Sequence, residues 1–433
     1  MKTIHFTLKH LVPCAAAVVL LTNAAGSQGA EVASLPSVVD EIISSNPELR
    51  FYEAEIEAAR AAAKAASSRE APELSIEVGR RRLRDSAGIL EGEGAAWAAS
   101  ITQTFDWPGR IGLRKAVANK NVELAQLGVE RLRTALAARA VALTHGLSGA
   151  AEKAAAIREV ADRFAALKET FLARDPAGIT PLLETRVIEA SELALQRRAT
   201  EAELEAQRAL VELNQLWGVP IDSPLKTKPA RFVFGPAPAH AELVSAAREK
   251  NFEYRLRRLE LEQQGFAVSL AKNERYPSIS VSPYVSRSRA GETESTYGVG
   301  VSIPLPLAQR GRAGLEGAKA RQRQAEAALA MAERDLEREL VTIAAEFSAK
   351  STEAKRWSPN TVAQFKESAA LADRHYRLGA VPIATYIELQ MTYLDAVEAL
   401  IDTEREAIEA GLKLQLLTGL NFKAVETVNE TNP

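Results

Sequence analysis

The sequence is poor in the residues from which metal centres and disulfides are built. Its 433 residues include one Cys, three Met and five His, and a single Cys excludes an internal disulfide. The histidines are isolated, so ligand clusters of the zinc or copper type are absent from the sequence. Walker loops, dinucleotide fingerprints and the HExxH motif are absent as well. We therefore expect no bound cofactor, no resident metal and no enzymatic activity.

Net charge and long apolar runs are also scarce, which excludes two further classes of protein. The sequence has 54 Lys and Arg against 56 Asp and Glu, so it lacks the overall positive charge typical of nucleic-acid binders. Beyond the N-terminus there is no uncharged apolar run of about 18 residues, which excludes a second membrane-spanning helix. Aromatic residues make up only 6%, while the abundance of Ala, Glu, Arg and Leu is typical of long, coiled-coil-like helices.

The N-terminus has the pattern of a secretory signal peptide. Lys2 and Lys9 precede an apolar stretch over 11–21, and small residues follow over 24–30. The apolar stretch is too short for a membrane anchor, so we predict cleavage within 24–30. Lipidation of Cys14 is disfavoured because Pro13 precedes it and an apolar run follows. The cleaved chain would contain no thiol, which suits an oxidising envelope compartment.

Four short motifs occur twice and in the same order. Asn46 and Asn251 lie 205 positions apart, as do Pro72 and Pro277, and Gly178 and Gly379 lie 201 positions apart, as do Gly218 and Gly419. Such spacing indicates two copies of one unit of about 200 residues. We predict a signal peptide over 1–30, a first repeat over 31–218, a Pro-rich linker over 219–238, a second repeat over 239–420 and a tail over 421–433.

Each copy has long stretches with helical periodicity. Apolar residues recur every three or four positions, as in Leu336, Leu340, Ile343 and Phe347, which gives one apolar stripe between charged faces. The helical stretches are predicted over 36–69, 110–174, 181–217, 239–273, 310–378 and 382–418. A helix of about 65 residues would be roughly 100 Å long, and it needs partners along its whole stripe. We therefore predict a coiled-coil-like bundle.

Between the helices, four short segments alternate apolar and polar residues. These segments are 73–79, 97–105, 278–285 and 297–303, and a period of two predicts strands with one apolar face. They would pair as two hairpins with polar tips over 80–94 and 287–295. One interpretation is a small soluble sheet packed on the bundle, and the other is a membrane β-barrel. Four strands cannot close a membrane barrel, so the second interpretation requires several protomers to share one.

These motifs together resemble the outer-membrane factor family, the TolC-like channels of tripartite efflux systems. The resemblance covers about 36–420. It depends on the duplicated start at Asn46, the paired Pro72 and Pro277, the segment over 105–110 and the helical-hairpin tips near Gly178 and Gly379. The segment over 303–307 resembles the heavy-metal, or cation, branch of the family. A multidrug or organic-compound channel is the alternative within the family, and a periplasmic coiled-coil structural or adaptor protein is the alternative outside it.

The resemblance implies a mainly helical fold whose membrane part is made of strands. Three protomers would contribute four strands each to a shared 12-stranded barrel in the outer membrane, and their helices would form a periplasmic tunnel. The channel would passively conduct substrates exported by an inner-membrane pump of the RND type, through a periplasmic membrane-fusion adaptor. We expect a homotrimer in contact with outer-membrane lipid and without nucleic acid.

The resemblance also assigns roles to residues near the helical-hairpin tips. Two acidic residues, Glu184 and Glu388, match positions that line the pore constriction, and three symmetry-related copies would form a ring that attracts cations. The position six residues after Gly379 is Thr385, where the best-known member has an acid, so one ring is missing. The alternative is that both acids are ordinary solvated helix residues. The expected adaptor contacts are Gly178, Ile179, Leu378, Gly379, Ala380 and Val381.

Overall fold

The computed structural model describes residues 35–174, 182–225, 231–305, 310–420 and 425–428. The predicted signal peptide therefore lies outside the described residues, as do Gly178 and Ile179. The described helices are α1 (Leu35–Ser45), α2 (Pro47–Ala66), α3 (Arg110–Arg174), α4 (Leu182–Trp217), α5 (His240–Lys250), α6 (Phe252–Asn273), α7 (Arg310–Arg356), α8 (Pro359–Arg377) and α9 (Ile383–Thr418). The strands are β1 (Glu73–Arg84), β2 (Leu90–Phe105), β3 (Arg231–Phe234), β4 (Ile279–Ala290), β5 (Glu292–Ser302) and β6 (Val425–Val428).

The longest helix, α3, organises the bundle. Its 65 residues correspond to about 98 Å at 1.5 Å per residue, and it packs in turn against α2, α4, α6 and α9. Three apolar clusters lie along the bundle: one joins α3, α4, α8 and α9, the second joins α5, α7 and α9, and the third joins α1, α3 and α4. The predicted coiled-coil-like bundle is confirmed, because the buried apolar residues form separate clusters along the packed helices rather than one compact core.

Two stretches predicted as single helices, 36–69 and 239–273, are each interrupted by an asparagine. The side-chain oxygen of Asn46 accepts a hydrogen bond from the backbone N–H of Glu48 at 2.8 Å, and that of Asn251 accepts from Tyr254 at 3.0 Å. Both amide nitrogens donate to the end of the second long helix of their own half, at Leu216 O (3.1 Å) and Leu417 O (3.0 Å). An asparagine in this role caps a new helix and ends the previous one.

The stretch predicted as one helix over 310–378 is also divided. The helix α7 ends at Arg356, and α8 begins at Pro359. The hydroxyl of Ser358 accepts a hydrogen bond from the backbone N–H of Thr361 at 3.3 Å. A serine cap followed by proline at the first helical position is a strong signal for a helix start, and it outweighs the continuous apolar periodicity on either side.

The four long strands form one antiparallel sheet in the order β1-β2-β4-β5. The central pair, β2 and β4, joins the two halves of the chain, with Ala99 opposite Val285 and Phe105 opposite Ile279. The strands are longer than predicted, because the segments expected as polar tips are themselves paired. Arg82 faces Glu93 across β1 and β2, and Arg289 faces Thr293 across β4 and β5.

The two turns of this sheet are correspondingly short. The Asp85 carboxylate accepts backbone hydrogen bonds from Ala87 (3.0 Å) and Ile89 (2.7 Å), and Gly88 has a φ of +83°. The second turn is centred on Gly291, whose φ is +89°. Both glycines occupy the left-handed region that other residues rarely adopt, so a tight reversal replaces the long loops expected over 80–94 and 287–295.

A second, two-stranded sheet lies where the sequence predicted only a linker and a tail. The strands β3 and β6 pair antiparallel, with Arg231 opposite Val428 and Phe234 opposite Val425. Phe234 is buried in the cluster that contains Leu243 and Leu414. Four-residue strands separated by nearly 200 positions carry too little periodicity to be found in the sequence, and tertiary pairing forms them.

Candidate functional site

The predicted adaptor contacts of the second copy form a sharp, exposed turn between α8 and α9. Leu378 caps α8 and is 80% exposed. Gly379 has a φ of +72°, and the backbone N–H of Ala380 donates to His375 O at 2.9 Å. Glycine in the left-handed conformation is the usual end of a helix. The turn therefore projects a large apolar side chain into solvent from a backbone fixed by hydrogen bonds.

Three aromatic rings support this turn from inside the bundle. The ring centroids of Tyr376 and Tyr386 are 5.1 Å apart and stacked, and those of Phe164 and Tyr386 are 5.2 Å apart. Val381, the fourth predicted contact residue, packs against the same apolar cluster. Pairs of this geometry contribute about 0.5–1.5 kcal/mol beyond their burial, so they hold α8 and α9 firmly against α3.

Burial sets the protonation of the two tyrosines. Burial raises the pKa of Tyr376 to about 12, and the nearby Glu184 carboxylate adds to the shift. Burial also raises the pKa of Tyr386, and Asp373 is the next contributor. Because both phenols stay neutral near pH 7, they place no negative charge inside the tip. The influence of Glu184 on Tyr376 shows that the start of α4 lies close to the end of α8.

A fully buried amide, Gln390, ties three helices together just above the aromatic rings. Its Nε2 donates to Ala369 O in α8 at 2.7 Å, and its Oε1 accepts from Arg163 of α3 at 3.2 Å. Arg163 also pairs with Glu159 at 2.6 Å, and Lys366 of α8 reaches the same carboxylate at 3.0 Å. A buried network of this kind fixes one arrangement of the helices, because any other leaves polar groups without partners.

The two predicted pore acids lie on different helices of the protomer. Glu184 is half-buried in the first turn of α4, and Glu388 is exposed on α9, between the buried Tyr386 and Gln390. Helical periodicity places Glu388 away from the side of α9 that packs on α3. Whether either carboxylate lines a pore depends on neighbouring protomers, so their gate role stays a prediction.

Farther along the bundle from the α8–α9 turn, a set of ion pairs, called the ion-pair ladder here, links the second long helix of each half. Arg198 of α4 pairs with Glu398 (2.8 Å) and Asp395 (3.1 Å) of α9. Lys153 of α3 lies 3.9 Å from Glu398 and 3.8 Å from Glu205. All of these pairs join different helices, and Arg198 and Glu398 are 200 positions apart, so single-helix patterns in the sequence did not predict them. The ladder connects α4 with α9, both of which pack against α3.

The four-stranded sheet has one polar face and one apolar face. On the polar face, hydroxyl pairs span the centre of the sheet, with Thr102 and Ser282 at 2.9 Å and Thr104 and Ser280 at 3.0 Å. The opposite face carries large exposed apolar residues: Leu74, Ile76, Val78, Ile101, Phe105, Tyr297, Val299 and Val301. No described helix covers them. A continuous apolar surface of this kind indicates contact with lipid or another protein, and the soluble-sheet interpretation is wrong.

A buried arginine joins this sheet to the bundle. Arg110, at the start of α3, donates to Tyr276 O (2.5 Å), to the Asn273 side chain (3.2 Å) and to the Ser278 hydroxyl (2.9 Å). It also pairs with Asp106 at 3.4 Å. Next to it, Trp107 and Tyr276 stack at 4.8 Å between ring centroids. The segment over 105–110 that carried the resemblance thus fastens the first half of the chain to the second.

None of the helices that the structure describes combines the length and the apolar character needed to cross a bilayer. The described residues also contain no group of three or more His, Cys, Asp or Glu placed to hold a metal ion. The structure consists of a long helical bundle and an antiparallel sheet with one apolar face and one polar face. The fold is therefore a mainly helical one whose sheet exposes an apolar face suited to contact with lipid or with another protein.

The sequence matches the outer membrane efflux protein family over residues 38–219 and 243–420, and the chain belongs to this family. The membership places the protein in the outer membrane, with its helices in the periplasm. It also makes the protein a passive channel component rather than an enzyme or a periplasmic adaptor. No curated protein matches the chain by sequence.

Several solved structures have the same fold. A membrane protein from Pseudomonas aeruginosa matches with a TM-score of 0.74 and 19% identity, over 89% of this chain and 90% of that chain. The CmeC outer membrane channel of Campylobacter jejuni matches with a TM-score of 0.71 and 15% identity, over 89% and 85%. The open state of the Neisseria gonorrhoeae MtrE outer membrane channel matches with a TM-score of 0.70 and 17% identity, over 89% and 88%.

Proposed function

We propose that three copies of the chain close one 12-stranded barrel and form the outer-membrane channel of a tripartite efflux system. The observation that carries this proposal is the four-stranded sheet, in which β1 and β5 lie at the two ends and each has one neighbour. Exposed strand edges in a membrane must be paired, and β1 of one copy can pair with β5 of the next. Twelve strands fall within the range of known membrane barrels.

Two further features support the channel. The hydroxyl-rich face of the sheet would line the lumen, since the opposite face is apolar and matches lipid. The duplicated asparagine caps, Asn46 and Asn251, dock onto Leu216 and Leu417 in the same way, which supports two repeats over 31–218 and 239–420 joined by a linker. The repeats would give the tunnel six similar helical hairpins in a trimer.

The tip of each helical hairpin is the proposed contact for a periplasmic adaptor and, through it, an inner-membrane pump of the RND type. Leu378 supports this role because it is exposed and apolar on a rigid turn. The acids Glu184 and Glu388 would face the lumen there and form rings of three carboxylates each. Rings of like charge favour cations over anions in a narrow pore.

We further propose metal cations as the transported substrate. The resemblance of 303–307 to the cation branch supports this, as does the acidity of the proposed constriction. Transport through a passive channel needs no resident metal site, since selectivity for one metal would belong to the pump. A multidrug or organic-compound channel is the competing substrate class. Deletion of the gene followed by a sensitivity panel distinguishes them: hypersensitivity to divalent metals supports the proposal, and hypersensitivity to dyes and antibiotics alone would refute it.

The channel itself is tested with the full-length protein. We expect it in the outer-membrane fraction, as a detergent-extracted trimer that conducts ions in planar bilayers and prefers cations. Combined Glu184→Gln and Glu388→Gln substitutions should reduce the cation preference measured from reversal potentials in a salt gradient. Glu201→Gln with Glu409→Gln, exposed acids higher on the same two helices, is the matched control. Equal selectivity in both double variants would remove the gate hypothesis, and a soluble monomer would refute the channel.

A further inference from the structure

The apolar face of the sheet changes to arginine at the end farthest from the helices. Alternate residues of a strand share one face, so Leu74, Ile76 and Val78 of β1 are followed on the same face by Arg80 and Arg82. All five side chains are exposed, and Val78 and Arg80 are 81% and 79% exposed. The change from apolar to charged therefore occurs within two residues along the strand.

The strand β4 repeats this change on the same face. Cross-strand partners share a face, and Trp97, the partner of Val78, is itself paired with Arg287. Arg289 follows two residues later and is also exposed. Tyr297 of β5 lies on this face as well, opposite Val285. Aromatic side chains at the boundary of an apolar band are typical of the membrane interface, and the arginines lie at or just beyond that boundary.

The strand register relates these arginines to one another. Arg80 is paired with Ala95, and Trp97, two positions farther along β2, is paired with Arg287. The strands β1 and β4 lie on either side of β2, roughly 10 Å apart. Arg80 and Arg287 therefore stand on the same face on the two sides of β2, and Arg82 and Arg289 follow them toward the hairpin turns.

The face has more positive than negative charge. Arg80 and Arg82 share a single carboxylate, that of Glu93, at 3.4 and 3.2 Å. Within the described part of the chain, neither Arg287 nor Arg289 forms an ion pair. Arg80, Arg82, Arg287 and Arg289 therefore have one carboxylate, that of Glu93, paired among them in each copy, and a trimer would repeat this set three times around the barrel.

The neighbouring arginine on the other face provides a contrast. Arg81 of β1 points to the polar side, where it pairs with Glu294 of β5 and donates to the Ser288 hydroxyl at 2.8 Å. Its charge is met by partners within the protein. The surplus charge therefore belongs to the face that meets the membrane, and intramolecular pairing does not account for it.

We propose that Arg80, Arg82, Arg287 and Arg289 form an arginine belt that binds phosphate groups of outer-leaflet lipid. Arginine in the hydrocarbon region of a membrane is unfavourable, whereas at the headgroup level its planar fork matches phosphate oxygens in a bidentate manner. The inference rests on the proposed function, because it requires a barrel with this face toward lipid and its hairpin tips outside the cell.

The experiment uses the full-length protein, purified in non-ionic detergent and titrated with lipid by native mass spectrometry. The probe is lipid A with two phosphate groups, compared with the same lipid after removal of its phosphates. We expect the wild-type protein to prefer the phosphorylated form about tenfold. Arg80→Gln with Arg289→Gln should abolish this preference, and the matched control Arg81→Gln should retain it.

Other results would overturn the inference. A double variant that keeps the tenfold preference, or an Arg81→Gln variant that loses it equally, would contradict a site on the membrane face. Displacement of lipid A by inorganic phosphate at the same concentration would show that the belt binds free anions instead of lipid. Conductance is recorded on the same preparations. A conducting trimer without the preference refutes this inference alone, whereas a chain that forms no trimer refutes the proposed function as well.

Discussion

Replacing Gln390 by leucine should loosen the tip of the helical bundle without changing its shape. The amide is fully buried, and it makes one hydrogen bond to a backbone carbonyl and one to the charged Arg163. Leucine has a similar volume but satisfies neither partner. The first bond contributes about 1 kcal/mol and the second about 1.5–3 kcal/mol. Because burial of the larger apolar surface of leucine offsets part of this sum, we expect a net loss of about 2 kcal/mol.

Hydrogen exchange of the α8 backbone, followed by mass spectrometry on the assembled protein, measures this loss directly. Local opening that costs about 2 kcal/mol less corresponds to exchange roughly 30-fold faster. Gln364→Leu makes the same change at an exposed position of α8 and should leave exchange unaltered. If both variants exchange at the wild-type rate, the amide does not fasten the tip, and the account of the three-helix network is wrong.

Three further predictions concern the sheet junction, the middle of the bundle and the tip. Arg110→Lys cannot reproduce the three hydrogen bonds of the buried guanidinium. We expect denaturant titrations of the trimer to show a free energy of unfolding about 3 kcal/mol lower than that of the wild type. Arg131→Lys, on the exposed side of α3, should leave this free energy unchanged. Burial, with a smaller effect from Arg405, lowers the pKa of His145 to about 4. The unfolded chain binds the same proton from about pH 6.5 downward. The free energy of unfolding is therefore highest above that pH and should decrease by about 3 kcal/mol as the pH falls to 4. Melting curves of wild type and His145→Gln between pH 7 and pH 4.5 check this, and equal pH dependence would contradict it. Leu378→Asp should abolish the resistance of cells to the exported substrates while leaving trimer formation and conductance intact. Normal resistance of cells with this variant would show that this tip does not contact the adaptor.

Local sequence patterns predicted most of the elements correctly. The period of two placed all four strands of the sheet and gave each strand one apolar face. The periodicity of three and four placed the long helices, because an apolar stripe must be buried wherever the helix lies. The same periodicity overlooked the breaks at Asn46, Asn251 and Ser358. At these positions one capping side chain, with proline in two cases, interrupts a helix whose flanking pattern is continuous.

The sequence predicted the exposed turn of the candidate site but not the buried contacts that support it. Leu378 to Val381 were expected at an exposed turn, and a glycine followed by proline indicated that turn without tertiary information. The buried Gln390 was not singled out, since a glutamine on a charged helix is usually solvated. Its partner Arg163 lies 227 positions away, and no local pattern reports a contact at that distance.

The sequence alone determined the parts: long amphipathic helices, strands with one apolar face, a duplicated order and turns at glycine. Each of these follows from interactions within a few residues of the chain. The tertiary structure decided how the parts meet. It paired β2 with β4 across the two halves, connected α4 with α9 through Arg198 and Glu398, and brought Arg80 and Arg287 to the same face of one sheet. These outcomes depend on register and packing between segments about 200 positions apart, where one of many similar pairings is selected by the cooperative fit of all the others.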